Sequence, residues 1–268
     1  MSTTGDQSAT TDWELRARTL RTDPRGVLFK SFPPAFNRYL HDWHVAEACQ
    51  VLAGFSRAAP LRVLDVGCGY GRLSQALQQV DARVRPIGID VAPTFASLYQ
   101  HETSGAAIVN DLRGLPLRAA TCDLVLLVTT LMYVPAARRA LLLSECLRVL
   151  KPEGRLLVIE TSRHGQQIYS AFGLLTLLAK MFHYLDASVH TDGYAFSYPE
   201  IDELVQAAGG AIIRRSGAVR FTILLPFMLV LSRFGSDRFV ERLLRACSPS
   251  VGAKKYSVHI CYEVRRAT

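Results

Sequence analysis

Apolar and polar positions along this chain follow two different periods. Short apolar runs near residues 61–66, 84–90, 106–109, 123–129 and 154–160 read as buried strands, and stretches near 70–79, 94–101 and 136–150 carry helical spacing between them. That alternation predicts a parallel sheet wound by right-handed crossovers. Upstream, Trp13 to Leu20 reads as a short helix. Pro33-Pro34 introduces a longer one, in which Phe36, Tyr39, Leu40, Trp43 and Ala46 recur at the intervals of a buried face. This longer segment is expected to pack over the mouth of the site the sheet carries. Downstream, Ser197-Tyr198-Pro199-Glu200 has the form of a capping box opening a helix over 198–208, Gly209-Gly210 stops it, and Ala211 to Arg215 gives a sixth strand. Tyr256 to Val264 alternates with period two, which indicates a strand with unlike faces.

The first strand breaks into Gly67-Cys68-Gly69-Tyr70-Gly71 before a helix starting near Tyr70. Glycines there let the chain turn at positive φ and let a ligand lie against bare N–H groups at a helix N-terminus, so the turn is a nucleotide seat. A dinucleotide fingerprint needs its third glycine where Arg72 stands, and a phosphate-binding P-loop needs a Gly-Lys-Ser/Thr ending that the turn lacks. Asp65, just ahead of the glycines, would repel a pyrophosphate and suits a nucleoside bearing positive charge. Asp90 ends the second strand 19 residues beyond Gly71, where a doubly wound sheet places a carboxylate that grips ribose hydroxyls.

Several motifs in order now carry a resemblance. Val63-Leu64-Asp65-Val66-Gly67-Cys68-Gly69-Tyr70-Gly71, Ile87-Gly88-Ile89-Asp90, Asn110-Asp111-Leu112, Cys122-Asp123-Leu124-Val125 and Leu147-Arg148-Val149-Leu150-Lys151-Pro152-Glu153-Gly154 resemble the motifs of class I S-adenosylmethionine-dependent methyltransferases, small-molecule branch, similar to the quinone-biosynthesis type. The resemblance covers about residues 60 to 215. It implies an α/β fold: a doubly wound, Rossmann-like seven-stranded sheet, mostly parallel with an antiparallel last strand. It implies S-adenosyl-L-methionine as cofactor. Asp65, Gly67, Gly69 and Gly71 would then hold the methionine part and the ribose side, and Asp90 the ribose hydroxyls. Asp111 would meet the adenine amino group, Val91 and Leu112 would sandwich the ring, and Thr129 would meet the methionine end through its backbone. Quinone-pathway relatives often bring a histidine near the transferred methyl after the fourth strand. Leu131-Met132-Tyr133-Val134 has none. Thr129-Thr130-Leu131-Met132 also replaces the Asn-Pro-Pro-Tyr or Asp-Pro-Pro-Tyr motif of base-amine methyltransferases.

Length and composition divide the chain further. Its 268 residues suit one large α/β domain with insertions: a disordered leader over 1–11, an N-terminal helical cap over 12–58, and the cofactor-binding domain over 59–268. Lid insertions are expected near 162–197 and 216–255. The first holds an uncharged stretch from Gly165 to Ala179, then His183, Asp186, His190 and Asp192, whose irregular spacing matches no metal-ligand pattern. The second holds Phe221 to Ser232, uncharged and bracketed by Arg220 and Arg233. It is too short to span a bilayer and suits a membrane interface, a greasy wall for a lipid-like acceptor, or a helix packed on the core. His164, His183, His190 and Tyr133 are the candidates for acid–base work. Tyr39, His41 and His44 are candidates to shape the acceptor pocket, against a plainer reading in which Tyr39 is core and both histidines are solvated.

Net charge is +8, and residues 205–268 hold 11 Lys/Arg against 3 Asp/Glu, 11 − 3 = +8, the whole excess. Such a tail could face an anionic membrane, nucleic acid, an acidic substrate, or simply solvent. Six cysteines without a C-x-x-C pair, and an N-terminus without a basic-then-apolar leader, lead to the expectation of reduced thiols in a cytoplasmic protein. Peripheral contact with the inner face of a membrane is the variant the insertions raise. The partners expected are a small apolar acceptor and no nucleic acid. The competing readings are an S-adenosylmethionine-binding module without catalysis and a membrane-surface interaction module.

Overall fold

The computed structural model describes residues 4–28, 34–56, 59–163, 193–218, 237–246 and 257–267. His164, His183, His190 and both uncharged stretches, 165–179 and 221–232, lie outside the described residues. The strands are β1 (Leu61–Val66), β2 (Val84–Asp90), β3 (Ala106–Val109), β4 (Cys122–Val128), β5 (Leu150–Thr161), β6 (Gly210–Ala218) and β7 (His259–Arg266). They form one sheet in the order β3-β2-β1-β4-β5-β7-β6, with β1 to β5 parallel and β7 antiparallel between β5 and β6. The sheet is the one the motif order implies.

The central strands read as unbroken apolar runs because helices cover both faces. Leu64, Val66, Val125, Leu127 and Val158 turn to one side, against helices α5 (Ala136–Val149) and α6 (Tyr198–Ala207). Val63, Leu124, Leu126 and Leu157 turn to the other, against α2 (Pro34–Leu52) and α3 (Arg72–Val80). The capping box predicted at Ser197 is present, with Glu200 Oε2 accepting from the Ser197 N–H at 2.8 Å. β5 starts earlier than its apolar run: the register moves from Cys122↔Leu150 to Leu124↔Arg155, so Lys151 to Gly154 form a bulge inside the strand. Lys151 Nζ there binds Asp123 at 2.8 Å, and Asp123 also accepts from the Arg62 N–H at 2.9 Å, a structural role.

Helix α1 spans Thr4–Leu20, so the segment expected as a leader is helical from Thr4 onward. Its second half is anchored: Glu14 accepts from Thr94 N at 3.0 Å and Thr94 Oγ1 at 2.6 Å, and Arg16 Nη2 donates to the Arg25 and Leu28 carbonyls. A helix nucleated by docking extends at little further cost. In α2 the buried face is rotated from the one predicted. Phe36, Tyr39 and Leu40 are buried, but Ala46 is exposed and His44 and Glu47 are turned inward. Glu47 pairs with Arg214 at 2.7 Å. Arg215 pairs with Asp202, and Arg245, in helix α7 (Asp237–Ala246), with Asp42, so part of the basic tail is engaged within the fold.

At one corner of the sheet, His259 pairs with Thr161 on β5 and with Ala218 on β6. Segments 164–192, 219–236 and 247–256 all join the described chain within two residues of that row. Among the described residues no helix is long and apolar enough to cross a membrane, and no cluster of His, Cys, Asp and Glu could hold a metal ion.

Candidate functional site

A cavity of about 930 Å³ opens at the carboxyl ends of β1, β2 and β4, where the strand order reverses. Ligands of open α/β sheets sit at that reversal. The turn after β1 builds its floor. Gly67 has φ 72°, and a Cβ there would stand 2.1 Å from Thr130 Oγ1, so no larger residue fits. Gly69 also lines the cavity. Gly71, with φ 88°, does not: a Cβ there would meet Thr103 Cγ2 at 2.7 Å and Tyr99 Cδ2 at 2.9 Å. Gly71 therefore serves the turn and its packing on helix α4 (Pro93–Glu102).

Asp65 and Asp90 lie buried on adjacent strands and line the same cavity. Asp65 accepts from Ser74 Oγ at 2.9 Å, and burial pushes its carboxyl up to about 7 against that bond and the nearby Arg72 charge. Asp90 Oδ2 accepts from Gly69 N at 2.8 Å and Oδ1 from Ala92 N at 2.9 Å. Asp90 thus caps the entrance to α4 and ties the glycine turn to β2. Burial pushes it up to about 6, with those N–H bonds opposing. Val91, Asp111, Leu112 and Thr129 line the cavity too. Asp111 is exposed and paired with Arg113 at 2.8 Å, while Leu112 and Thr129 hold left-handed backbone at φ 60° and 52°. The structure thus brings every cofactor position named above into one cavity, Gly71 excepted.

The roof is α1, not α2. Thr10, Thr11, Trp13, Glu14 and Leu15 line the cavity, and no residue of α2 does. Trp13 meets the Tyr133 ring edge-on at 4.9 Å, and Tyr133 interacts with the Arg16 guanidinium. Tyr39 is core, but His44 is fully buried and His41 half-buried: their Nδ1 atoms lie 2.9 and 3.1 Å from Arg72, which draws them inward. Cys68 also lines the cavity, and burial holds its thiol protonated, which removes it as a nucleophile.

Glu160, on β5, was not singled out by its sequence context. It is fully buried, and its Oε1 accepts from Thr130 N at 3.1 Å and Leu131 N at 2.8 Å. Thr130 Oγ1 in turn donates to the Val66 carbonyl at 3.0 Å, so Glu160 fixes the loop behind the glycine turn. Burial raises its carboxyl to about 8. An acid at the end of an apolar strand run was the signal that could have found it.

The comparisons with known proteins agree with this fold. The family model described as "Methyltransferase domain" matches residues 64–158. A malonyl-[acyl-carrier protein] O-methyltransferase of Methylococcus capsulatus is 28% identical over 172 residues, 61% of this chain and 58% of that protein. A ubiquinone biosynthesis O-methyltransferase of Cereibacter sphaeroides is 30% identical over 186 residues, 63% of this chain and 71% of that protein. The chain thus spans a little over half the length of the first and nearly three quarters of the second. Among solved structures, magnesium protoporphyrin IX methyltransferase of Synechocystis with bound S-adenosylmethionine superposes with a TM-score of 0.60 at 13% identity, covering 99% of each chain, a likeness of fold.

Proposed function

Because the chain belongs to the class I S-adenosylmethionine-dependent methyltransferases, we propose that it methylates a small apolar acceptor of quinone-precursor, polyketide-like or lipid-like character. S-adenosylmethionine is the cofactor, and it supplies an electrophilic methyl on a sulfonium. The donor set fits it. Asp65 and Asp90 offer carboxylates, the first for the positively charged methionine end and the second for the ribose hydroxyls. Gly67 and Gly69 offer backbone without side chains, Val91 and Leu112 flank the adenine, Asp111 meets its amino group, and Thr129 faces the methionine end. Gly71 contributes by shaping the turn.

The observation that carries this reading is the pair of buried carboxylates on neighbouring strands, open to one cavity around a left-handed glycine turn. The protein's task is then to align the acceptor behind the methyl and exclude water, an effect worth up to ~7–11 kcal/mol in well-oriented reactions. Trp13, Leu15 and Val134 make the acceptor side of the cavity apolar. The relatives named for quinone biosynthesis support the same reading. Removing a proton from a phenolic acceptor falls to Tyr133, which lines the cavity, or to His164, His183 or His190. Peripheral contact with an anionic membrane through the insertions fits an acceptor that partitions into lipid.

Calorimetric titration with S-adenosylmethionine, S-adenosylhomocysteine and NAD, repeated on Asp90→Ala, tests the seat. Micromolar binding of the first two, lost in the variant, is expected, followed by turnover in a screen of apolar phenols and quinone precursors. Binding of NAD alone, or undiminished binding by Asp90→Ala, would overturn it.

A further inference from the structure

Arg72 is the first residue of α3, where a positive charge opposes the helix dipole, so something other than helix stability must account for it there. Its side chain is buried and the residue lines the cavity beside Asp65, Gly67 and Gly69. A guanidinium has only donors, five N–H groups in a planar fork. Nη1 meets His41 Nδ1 at 3.1 Å and Nη2 meets His44 Nδ1 at 2.9 Å, so both imidazoles accept. His44 therefore keeps its proton on Nε2 and donates it to His259 Nδ1, 2.9 Å away, with the two rings stacked at 5.1 Å. His44 and His259 are both fully buried. The array is a neutral bracket around a cation, and it fixes where the guanidinium sits.

What the bracket lacks is a carboxylate hydrogen-bonded to the guanidinium, Asp65 acting on it only through space. Among the described residues no carboxylate hydrogen-bonds Arg72, and Asp65, the nearby acid, accepts instead from Ser74. A buried cation held by neutral partners is poorly satisfied unless an anion arrives. The glycine turn is thus flanked by one buried carboxyl, Asp65, which an incoming ammonium would ionise, and one buried cation, Arg72, both lining the cavity, a complement to an amino-acid zwitterion. We infer that Arg72 receives the α-carboxylate of the cofactor's methionine moiety, with His41 and His44 as positioning residues that aim its guanidinium. This rests on the S-adenosylmethionine seat proposed above.

The test is calorimetry with three ligands: S-adenosylhomocysteine, its decarboxylated analogue, and 5′-methylthioadenosine, which lacks the amino-acid end altogether. Wild-type protein is expected to bind S-adenosylhomocysteine at least tenfold more tightly than the decarboxylated analogue. Arg72→Gln is expected to weaken S-adenosylhomocysteine ten- to a hundredfold, leave 5′-methylthioadenosine within twofold, and abolish the preference for the carboxylate. His44→Gln should give a smaller loss with the same ligand selectivity. Equal wild-type affinity for the first two ligands overturns the inference without any variant, which keeps it decidable if Arg72→Gln fails to fold. Equal weakening of all three ligands by Arg72→Gln overturns it as well. Binding of none of the three by wild type overturns the seat itself, a different failure from binding without carboxylate preference.

Discussion

Asp90 and Glu160 stand on opposite sides of the point where the strand order reverses, and they differ in one respect. Both are buried acids near the carboxyl end of a strand, both accept backbone N–H bonds, and both are pushed up by burial. Asp90 faces the cavity and Glu160 does not. Burial and a raised carboxyl therefore do not mark a ligand site by themselves. Access to a cavity does, and an acid sealed behind a loop holds the loop.

The comparison breaks most readily at Glu160. Glu160→Leu leaves the Thr130 and Leu131 N–H groups buried without acceptors, and at roughly 1–3 kcal/mol for each such group it should lose about 4 kcal/mol in urea unfolding. Asp90→Ala should lose less stability, because cavity water can serve the Gly69 N–H, yet weaken S-adenosylhomocysteine about a hundredfold by calorimetry. If the two variants exchanged these signatures, the distinction between them would be wrong. Gly71→Ala, strained at positive φ and crowding Tyr99, should cost about 2 kcal/mol of stability while altering ligand affinity little in the protein that remains folded. Gly67→Ala should impair both.

Titration sharpens the contrast. Glu160 is raised from 4.5 to about 8, so its protonated form stabilises the fold, fully below 4.5, and this is lost as pH rises toward 8. Glu160→Gln keeps the acceptor and cannot ionise. Its stability relative to wild type should rise between pH 5 and 8, on the order of 1 kcal/mol per pH unit, in denaturant midpoints taken across that range. The histidines run the other way. His41 is lowered to about 4 and His259 to about 3, both chiefly by burial, so their contribution is full above 6.5 and is lost as pH falls below it. His259→Asn should make acid unfolding shallower, the smallest of these effects.

The parts of this molecule that could be read from sequence are those whose signal is local. A strand, a glycine turn and an acid at the strand's end are contiguous, and so Asp65, Asp90 and the seven strands were legible. The face that α2 buries was not, because it is set by Arg72, 28 and 31 residues onward, and through His44 by His259, 215 residues away. Nor was the roof. Trp13 and Glu14 dock on Tyr133 and Thr94, partners that no periodicity in α1 could announce. Glu160 looked like one polar letter in an apolar strand, and only the fold turns two N–H groups onto it. For His164, His183 and His190 the sequence remains the sole guide.

The corner at His259 gives the fold a division of labour that bears on how such a protein can change. Three long connections, 164–192, 219–236 and 247–256, join the sheet within two residues of one cross-strand row, while the glycine turn and both cavity acids hang from strands on the other side of β4. Insertions and deletions at that corner can be sampled without shifting the register of β1 and β2. A lineage built on this sheet can therefore rewrite one side of it while the half that carries the glycine turn and the cavity acids is inherited intact.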